Sequence, residues 1–499
     1  MKKRAYISVF NKENIEIPAK KLINSGYEII STGNSAKYLE QKGIKVTESS
    51  KITGFNELLS GKVKSLHPEI FAGILADENE VQTLDFPPID VVIVNLYPFE
   101  SYAGHDFEIE TLIKNIDIGG VALLRAGAKN YQNTVVICDS KDYDIDFENI
   151  TLEEKERLAL KVFKKTSNYD LTIFNELLNR FQIQENTDSI TYNLTKLKDL
   201  RYGENPHQKA SLYEYGDKMA EYEILNGKEL SYNNIIDITS AVNIMSEFYD
   251  VHCAAIIKHT NPCGVSLGVD IENAFDKALD CDPLSAFGGI VGLTSKVNLN
   301  LAKKLTSMFL EVVIAPEFDE DALEQLKVKK NLRVIKLNTK LEDYKNLLQS
   351  DIKITPFGVL VQETDKKDFD VETFKTVTKE KPTQEMIEDM VFAYKVAKHV
   401  KSNAIVVAKD LKTLGICGGQ TSRVGSVEMA LSRATDGAKD AILASDGFFP
   451  ATDNITVAAH YRIKGIIQPG GSIKDKDVIE LADKLNLCMV TTGIRHFRH

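Results

Sequence analysis

The sequence is poor in glycine and proline and lacks long apolar runs, and each shortage excludes a class of protein. Its 499 residues include 29 glycines and 13 prolines without a fixed period, which excludes collagen-like and low-complexity architectures. The longest apolar runs, such as 91–94 and 254–257, are far shorter than the roughly 20 residues of a membrane-spanning helix. The basic N-terminus precedes a short strand-like run, whereas a signal peptide needs a longer apolar stretch and a cleavage site. We therefore expect a soluble, cytoplasmic protein without a membrane partner.

Paired cysteines and an excess of basic charge are also lacking. The six cysteines form no C-x-x-C pair, and they are Cys138, Cys253, Cys263, Cys281, Cys417 and Cys488. Scattered cysteines of this kind favour buried thiols in a reducing compartment over a disulfide framework. With 61 Lys and Arg against 72 Asp and Glu, the formal net charge of -11 argues against a general nucleic-acid partner. Local basic pockets are still permitted.

The standard cofactor motifs are missing as well. No G-x-G-x-x-G follows a strand and no G-x-x-x-x-G-K-[ST] occurs, so neither dinucleotide binding nor a P-loop has support. The zinc-deaminase signature starts at Pro262 and Cys263, but Ser266 stands where its second cysteine is required. The H-x-E element of that signature occurs only at His67–Glu69, far earlier in the chain. We expect no catalytic metal, and a zinc-dependent deaminase stays as an alternative.

Strand and helix patterns alternate over the first 140 residues. We predict strands at 5–9, 27–31, 44–46, 89–96 and 134–138, and helices at 15–23, 35–41 and 121–128. This alternation predicts an open, mostly parallel α/β sheet. The run at 89–96 is almost continuously apolar, which is typical of a strand covered on both faces.

The length and one polar segment divide the chain. At roughly 100–200 residues per domain, the length predicts two to four domains. Thr151 and Glu154 form a capping box that begins a helix extending to about 184, and the polar segment 185–199 follows. We place the boundary there, with domains at 1–199 and 200–499, the second divided into two subdomains. Its clearest strands are predicted at 254–258, 404–408 and 465–468, and its helices at 271–279, 384–399 and 476–485. No internal repeat of fixed period is visible.

Polar side chains cluster where predicted strands end, which is where open α/β sheets bind ligands. The loop 31–35 leads into a helix whose free N–H groups can hold a phosphate, although a capped helix start explains the same residues. Lys258 and His259 end an apolar strand and suit acid–base chemistry, although a histidine satisfied by backbone groups is the alternative. Adjacent strand residues point to opposite faces, so both reach one pocket only if the strand ends or bulges before Pro262.

Eleven such segments follow one another along the whole chain, and together they resemble a known family. They are STGNS at 31–35, KVKSLHP at 62–68, NLYPF at 95–99, DIGG at 117–120 with KN at 129–130, RYGENPHQ at 201–208, KHTNPCG at 258–264, DPLSAFGG at 282–289, KSN at 401–403, GGQTSR at 418–423, SDGFFP at 445–450 and RHFRH at 495–499. Each motif is weak alone. Jointly they resemble the bifunctional purine-biosynthesis family of 5-aminoimidazole-4-carboxamide ribonucleotide (AICAR) transformylase and inosine monophosphate (IMP) cyclohydrolase.

The resemblance implies a fold and two reactions. The N-terminal domain would have a methylglyoxal-synthase-like open parallel sheet, and the C-terminal domain a duplicated cytidine-deaminase-like α/β fold without catalytic zinc. The C-terminal domain would transfer a formyl group from the co-substrate 10-formyltetrahydrofolate to the 5-amine of AICAR. The N-terminal domain would close the resulting formyl-AICAR to IMP with loss of water. The resemblance also implies a homodimer with transformylase sites across its interface, and a structural monovalent cation.

For formyl transfer, the resemblance implies a catalytic group and a substrate-binding group. His259 would assist removal of the amine proton, and Lys258 would stabilise the tetrahedral oxyanion or protonate the departing folate nitrogen, while Asn403 helps to hold this geometry. The residues that would contact AICAR are Arg201, Tyr202, Gly288, Glu311, Arg423, Phe448 and Arg495. The arginines suit its phosphate, and the Phe448 ring can stack on its imidazole. Glu311 stands where some family members have Asp.

For ring closure, the resemblance implies an acid–base and oxyanion-stabilising set and a phosphate site. The first set is Lys64, Tyr97, Asp117 and Lys129, which taken singly are also consistent with surface lysines, a core tyrosine and a helix cap. The phosphate site would be formed by Ser8, Ser31, Thr32, Gly33 and Ser35. Phe10 stands where many members have Ser, and Asn34 replaces a Gly, which predicts left-handed backbone geometry at Asn34.

Two hypotheses that assign the chain a different kind of function stay open beside this one. The N-terminal domain would be a non-catalytic regulatory module if the chain formylates AICAR but leaves the product unclosed. An interaction scaffold would turn over no nucleotide at all. The presence of both proposed catalytic sets favours the bifunctional enzyme.

Overall fold

The computed structural model describes residues 3–56, 58–59, 63–182, 190–192, 194–215, 219–368 and 370–499. The chain divides into two compact units, Met1–Asn193 and Leu194–His499. The predicted linker at 185–199 lies partly outside the described residues, as do the predicted helix end at 184 and Lys62 of the second motif. Among the described helices, none has both the length and the apolar character that crossing a membrane requires.

In the described part of the first unit, five parallel strands form one open sheet in the order β3-β2-β1-β4-β5. The strands are β1 (Arg4–Val9), β2 (Glu28–Ser31), β3 (Thr47–Glu48), β4 (Val91–Asn95) and β5 (Val135–Ile137). The helices are α1 (Glu16–Asn24), α2 (Gly33–Gln41), α3 (Ser49–Thr53), α4 (Pro68–Leu75), α5 (Ile109–Lys114), α6 (Gly119–Lys129) and α7 (Leu152–Phe181). The predicted open parallel sheet is confirmed.

Alternate residues of β4, an inner strand between β1 and β5, pack on opposite faces of this sheet. Val92 and Val94 lie in one core, which α4, α6 and α7 complete. Val91 and Ile93 lie in the other core, against α1 and α2. Both faces of the strand are therefore covered, which explains its almost continuously apolar sequence.

The third predicted strand is misplaced. It was expected at 44–46, but β3 begins at Thr47, which pairs with Ile30 of β2. Ile44 and Val46 are buried in the core before the chain reaches the sheet. The apolar pattern at 44–46 indicates that these side chains are buried. Burial alone does not require that the backbone pairs with a neighbouring strand.

The capping box at the start of α7 forms as predicted. The Thr151 Oγ1 accepts the Glu154 N–H at 3.2 Å, and the Thr151 N–H donates to the Glu154 carboxylate at 3.0 Å. This reciprocal pair satisfies two N–H groups that the first helical turn leaves without partners.

The described part of the second unit contains one twelve-stranded mixed sheet and two separate hairpins, β6–β7 and β14–β15. The strands are β6 (Leu194–Leu200), β7 (Ala210–Tyr215), β8 (Tyr222–Asn226), β9 (Cys253–Lys258), β10 (Asn261–Leu267), β11 (Ile290–Leu293), β12 (Val312–Ala315), β13 (Arg333–Leu337), β14 (Ser350–Thr355), β15 (Gly358–Glu363), β16 (Lys375–Thr376), β17 (Ile405–Lys409), β18 (Lys412–Cys417), β19 (Ile442–Ser445), β20 (Gly465–Gln468) and β21 (Cys488–Thr491). The helices are α8 (Tyr232–Glu247), α9 (Ile271–Leu279), α10 (Pro283–Ala286), α11 (Leu299–Ser307), α12 (Glu320–Lys327), α13 (Leu341–Tyr344), α14 (Gln384–Ala397), α15 (Arg423–Ala434), α16 (Asp453–His460) and α17 (Asp475–Lys484).

The strand order of the large sheet shows an internal duplication. It runs β16-β21-β20-β19-β17-β18-β10-β9-β11-β12-β13-β8. On each side of the central antiparallel β18–β10 pair, the chain passes from a long helix through a hairpin, another helix and then three further strands. The helix that begins the first half is α8, and its counterpart in the second half is α14. Inspection of the sequence finds no repeat, because the two halves share topology without a visible common pattern.

The two halves share one core and keep one core each on the other face. Helices α8 and α14 pack together with both sets of strands in the shared core. Helices α9, α11 and α12 cover the opposite face of the first half, and α15, α16 and α17 that of the second. One continuous sheet joins the two halves within a single compact unit, so the division into two subdomains stays a prediction.

Candidate functional sites

The first candidate site lies where parallel strands β1, β2 and β4 end at one edge of the first unit. Ser31 ends β2, and its hydroxyl donates to the Ile7 carbonyl of β1 at 2.6 Å. The Ser35 hydroxyl donates to the Val9 carbonyl at 2.9 Å and accepts the Val9 N–H at 3.0 Å. Both hydroxyl protons are therefore used to tie the loop to β1. A phosphate at this edge would be held chiefly by backbone N–H groups at the start of α2.

The remaining residues of the predicted phosphate loop frame the same edge. Thr32 precedes α2 in extended conformation, and Gly33 has φ +54°, which favours glycine. Asn34 lies within α2, so the prediction of left-handed geometry there is wrong, since Gly33 makes the turn instead. Ser8 is half-buried in β1, opposite Val94 of β4.

Phe10 extends this edge with an aromatic contact. Its ring meets the Tyr97 ring in a T-shaped arrangement, with centroids 5.4 Å apart. Its backbone N–H donates to the Asn95 side-chain oxygen at 2.6 Å, so β4 positions the chain that leaves β1. At this position the chain therefore packs an aromatic ring against a predicted catalytic tyrosine.

Asp117 combines a structural contact with a perturbed carboxyl group. Its Oδ1 accepts the Gly120 N–H at 2.7 Å in the first turn of α6. Burial raises the pKa of Asp117, against the opposing effects of backbone hydrogen bonds from Gly120 and Tyr97 and the charge of Lys64. Three predicted residues, Lys64, Tyr97 and Asp117, therefore lie together. A carboxyl group with a raised pKa is suited to acid–base chemistry.

Lys129 lies at the other end of α6. The helix begins at Gly119 and Lys129 is its last residue, which separates the ends by about 15 Å at 1.5 Å per residue. The next residue, Asn130, donates to the carbonyls of Ile74 and Ala76, close to the start of β5. The fold of one chain therefore does not bring the exposed Lys129 side chain to Asp117.

The second candidate site is built on the β9–β10 hairpin. Lys258 ends β9 and pairs with Asn261 of β10, so the connection consists of His259 and Thr260 alone. Both have left-handed backbones, with φ of 51° and 67°. Such a pair forms the tightest type of hairpin turn. The strand thus ends at Lys258, which is the condition under which Lys258 and His259 can serve one pocket.

Gly288 and Glu311 lie beside this turn. The Lys258 Nζ donates to the Phe287 carbonyl at 2.9 Å, and a Cβ added at Gly288 would lie 3.0 Å from that Nζ. The Glu311 N–H donates to the carbonyl of Gly289, and its carboxylate accepts from the Asn234 side chain at 2.9 Å. The structure therefore brings four predicted residues, Lys258, His259, Gly288 and Glu311, to one place.

Asp237 of α8 connects these groups, and the sequence motifs did not point to it. Its Oδ1 accepts the Thr260 N–H at 2.7 Å. Burial raises the pKa of Asp237, and the charge of Glu311 adds to this, while the Thr260 hydrogen bond and the charges of His259 and Lys258 oppose it. The signal available in the sequence was an aspartate in a helix whose only other charged residue is its last, Glu247.

Asn403 belongs to a segment that contacts the hairpin. Its side-chain amide donates to the Gln420 carbonyl at 2.9 Å, and its own carbonyl accepts from the Ser426 hydroxyl at 2.8 Å. Two residues earlier, the Lys401 N–H donates to the Asn261 side chain at 3.3 Å. These bonds hold the 401–403 segment next to the turn that carries His259.

Arg423 and Arg495 share an aromatic neighbour, Phe497. Their guanidinium carbons lie 5.9 and 4.3 Å from the centre of its ring. Arg423 is buried in an ion pair with Asp446, whereas Arg495 is exposed. The charge of Arg423 is thus largely neutralised within the protein, and Arg495 is the more available of the two for an anionic ligand.

The remaining residues predicted to contact AICAR are Arg201, Tyr202 and Phe448. The Arg201 guanidinium lies 5.5 Å from the centre of the Tyr202 ring. The same loop contacts α8, because the Glu204 carbonyl accepts from the Asn233 side chain at 3.2 Å. Phe448 is half-buried two residues after Asp446.

The six cysteines are free thiols, four of them buried and two half-buried. Burial raises the pKa of Cys263 to about 12, so its thiol is protonated at neutral pH. Its Sγ donates to the Ile256 carbonyl, and the Ser266 hydroxyl donates to the Ala274 carbonyl. Within the described ranges, no group of three or more His, Cys, Asp and Glu side chains is arranged to hold a metal ion.

Comparison with known families accounts for both units. Residues 14–122 match the model of the MGS-like domain, and residues 127–433 match that of the AICARFT/IMPCHase bienzyme. Fold and sites thus define an α/β enzyme with a methylglyoxal-synthase-like domain followed by a duplicated domain. The chain belongs to the AICARFT/IMPCHase bienzyme family.

Curated relatives match the chain over its full length. A protein of Caldicellulosiruptor bescii is 49% identical over 100% of both chains. One of Aquifex aeolicus is 45% identical over 99% of this chain and 100% of its own. Both are named "Bifunctional purine biosynthesis protein PurH". A solved structure entitled "Crystal structure of ForH" is 27% identical over 36% of this chain and 100% of its own, with a TM-score of 0.32.

The predicted family and activity class are therefore confirmed. The chain is a bifunctional purine-biosynthesis enzyme with AICAR transformylase and IMP cyclohydrolase activities. The alternatives of a zinc-dependent deaminase and an interaction scaffold do not fit this family.

Proposed function

We propose that the β9–β10 turn carries formyl transfer from 10-formyltetrahydrofolate to AICAR, and that the edge formed by β1, β2 and β4 carries closure of formyl-AICAR to IMP. The observation that supports the first assignment is the convergence of Lys258, His259, Gly288 and Glu311 at the turn. The second rests on the neighbouring Lys64, Tyr97 and Asp117.

Formyl transfer requires one proton to leave the amine and one to reach the folate. The AICAR nitrogen forms a bond to the formyl carbon, and His259 takes the amine proton because the carboxamide-conjugated amine is a weak nucleophile. The Lys258 ammonium stabilises the tetrahedral oxyanion. The bond between the formyl carbon and N10 of the folate then breaks, and N10 receives a proton from Lys258. Proton exchange with water restores both side chains.

In this proposal, charged side chains bind the phosphate of AICAR and aromatic side chains bind its imidazole ring. Arg495 provides the exposed positive charge for the phosphate, and Arg423, paired with Asp446, also lies near the Phe497 ring. Phe448 stacks on the imidazole. Arg201 and Tyr202 complete the site from the loop that contacts α8.

Ring closure requires acid–base help in forming one bond and breaking another. The carboxamide nitrogen attacks the formyl carbon and loses one proton, and the formamide nitrogen loses the second as the C=N bond forms. The former formyl oxygen gains both protons and leaves as water, which breaks the C–O bond. Asp117, with its raised pKa, exchanges these protons, and Lys64 stabilises the oxyanion. The phosphate binds at the start of α2, among Ser8, Ser31, Thr32, Gly33 and Ser35.

The position of Lys129 supports the homodimer. Within one chain it lies about 15 Å along α6 from the end that carries Asp117, beyond the reach of a direct contact. If Lys129 acts in ring closure, a second copy of the chain must supply it. A twofold dimer would then create two identical composite sites.

The experiment that tests the assignment uses both reactions of the same preparation. We expect His259→Ala to lower formyl transfer by about 100-fold or more, as loss of a general base does, and to leave closure of supplied formyl-AICAR unchanged. Tetrahydrofolate and IMP release report the two steps. Loss of both activities in a folded variant would contradict two separate sites.

Two further parts of the assignment are tested by simpler measurements. The structural monovalent cation implied by the family should raise the Tm in potassium chloride above that in tetramethylammonium chloride of equal ionic strength. An equal Tm in both salts would contradict it.

A cytoplasmic location is tested by fractionation of cells that express a tagged chain.

A further inference from the structure

The turn at His259 and Thr260 is an unusual place for these two residues. Two-residue hairpins of this geometry need positive φ at both positions and therefore favour Asn-Gly. Thr260 is β-branched, and a β-branched residue at φ 67° is disfavoured by its own side chain. The surrounding structure must hold such a turn in place.

Three hydrogen bonds hold it. The Asp237 carboxylate on α8 accepts the Thr260 N–H at 2.7 Å. The Asn261 side chain donates to the His259 carbonyl at 3.1 Å, and its oxygen accepts the Lys401 N–H at 3.3 Å. Of the groups that form these bonds, the Asp237 carboxylate alone is charged, and that charge interacts with the His259 side chain.

The second half of the duplicated domain contains the same arrangement. Asp389 is the sixth residue of α14, as Asp237 is of α8. Its two carboxylate oxygens accept the N–H groups of Asp410 and Leu411 at 3.0 and 2.7 Å, and these residues form the left-handed β17–β18 turn. Asp389, like Asp237, has a pKa that burial raises.

The similarity extends to the lysine that ends each strand. The Lys258 Nζ donates to the Phe287 carbonyl at 2.9 Å, and the Lys409 Nζ donates to the Lys439 carbonyl at 3.3 Å. An aspartate that holds a left-handed turn is therefore a feature of both halves. They differ at the first turn position, which is His259 in one and Asp410 in the other.

We infer that Asp237 is a positioning residue for formyl transfer, which fixes the imidazole of His259 beside Lys258 and stabilises the imidazolium that forms when His259 takes the amine proton. The inference rests on the proposed role of His259. The positive charge appears on the imidazole only as the amine attacks, so the Asp237 carboxylate favours the transition state over the ground state. The proton later leaves His259 for solvent.

The test separates the charge of Asp237 from its hydrogen bond. Asp237→Asn keeps an oxygen that can accept the Thr260 N–H but removes the charge. We expect the kcat of formyl transfer to fall about 10-fold or more with KM for AICAR within about twofold, since the charge acts in the transition state. Closure of supplied formyl-AICAR by the same preparation should be unchanged, which shows that the chain is folded. Asp237→Glu should recover part of the lost kcat, because it restores the charge.

Asp389→Asn is the matched control. It makes the same change in the equivalent turn, which has no histidine, and should leave formyl transfer unchanged. An equal loss of kcat in both variants would overturn the inference, because it would reflect support of the fold alone. A wild-type kcat for Asp237→Asn would also overturn it.

A double-mutant cycle separates failure of this inference from failure of the proposed function. In the His259→Ala background, Asp237→Asn should have no further effect, since its charge acts through His259. A full additional loss in that background would overturn the positioning role while leaving the role of His259 intact. If His259→Ala itself forms product at the wild-type rate, the proposed function is wrong and the inference fails with it.

Discussion

Gly288 lies where an added Cβ would make a tight contact with the group proposed to do the chemistry, so that Lys258 would have to shift. A Cβ there would lie 3.0 Å from the Lys258 Nζ and 3.3 Å from the Phe309 ring, and its φ of 69° is a conformation that favours glycine. Two features therefore fix the position of the Lys258 ammonium. One is its hydrogen bond to the Phe287 carbonyl, and the other is the space left free because residue 288 has no side chain. The motif DPLSAFGG predicted this position, but the tight contact is visible only once Lys258 and Gly288 are placed together.

Gly288→Ala should therefore impair formyl transfer by moving Lys258. We expect a loss of about 100-fold in kcat, the scale of a misplaced catalytic group, and a destabilisation of about 1–3 kcal/mol from the strained backbone. Closure of formyl-AICAR should continue at the wild-type rate. Gly471→Ala is the control, because its φ is 96° but no atom lies within 4 Å of the added Cβ. If both variants lose formyl transfer equally, backbone strain explains the effect and the tight contact does not.

At the scale of elements, α6 shows how one residue can serve both structure and chemistry. Asp117 accepts the Gly120 N–H in the first helical turn, so the sequence interpretation as a helix cap describes a contact that is present. The same side chain has a raised pKa because it is buried. A pattern of residue types could not separate a cap from an acid–base group, because burial depends on α7, whose Tyr169 hydroxyl accepts the Asp117 N–H.

Asp117→Asn should separate the two roles. Asparagine also accepts the Gly120 N–H, so α6 should form, while ring closure should fall about 100-fold or more. A raised carboxyl pKa means that the native protein loses stability as pH rises through that pKa. Asparagine cannot ionise, so at pH 7 the Tm of the variant should be equal to or higher than that of the native protein. Retained ring closure, measured as IMP release from formyl-AICAR, would contradict the acid–base role.

At the scale of the whole molecule, the duplicated halves meet at a buried charge. Glu247 ends α8, and its carboxylate contacts Lys345 at 2.8 Å, Lys398 at 3.2 Å and His399 at 3.0 Å. Burial alone would raise the pKa of Glu247, but the hydrogen bond from His399 and the two lysine charges hold it well below its ordinary range. His399 is the sixteenth position counted from the start of α14, as Glu247 is of α8. Equivalent positions of the two halves thus meet at the joint.

Glu247→Gln should destabilise the second unit by about 3–5 kcal/mol, because it leaves buried cations without their partner. Glu342→Gln removes an exposed charge near Lys340 and should change stability by less than about 0.5 kcal/mol. A carboxyl pKa below its ordinary range means that this stability is present above the ordinary value near 4.5 and is lost as pH falls below it. Urea unfolding at pH 7 and pH 4 should show a smaller difference between variant and native protein at pH 4. An equal difference at both pH values would contradict this account.

The proposed dimer makes a prediction at the same scale. Asp117→Asn and Lys129→Ala should each lack ring closure, but their mixed dimer would contain one site with both residues intact. Random pairing of co-expressed variants should therefore restore about a quarter of the native activity. No recovery in a preparation shown to contain mixed dimers would contradict the composite site. Native ring closure by Lys129→Ala alone would remove Lys129 from the reaction.

The sequence by itself determined the class of fold, the positions of most strands and helices, and the residues around His259. These depend on local periodicity and on short segments at strand ends, which adjacent residues encode. The tertiary structure alone decided that Asp237 holds the turn of His259 and Thr260, that Lys129 lies far from Asp117, and that Asp446 pairs with Arg423. Each of these depends on distances between residues remote in sequence, and electrostatic interaction follows those distances and the burial around them. The duplication was implied by the family resemblance but has no visible sequence repeat, because topology can repeat where residue patterns do not.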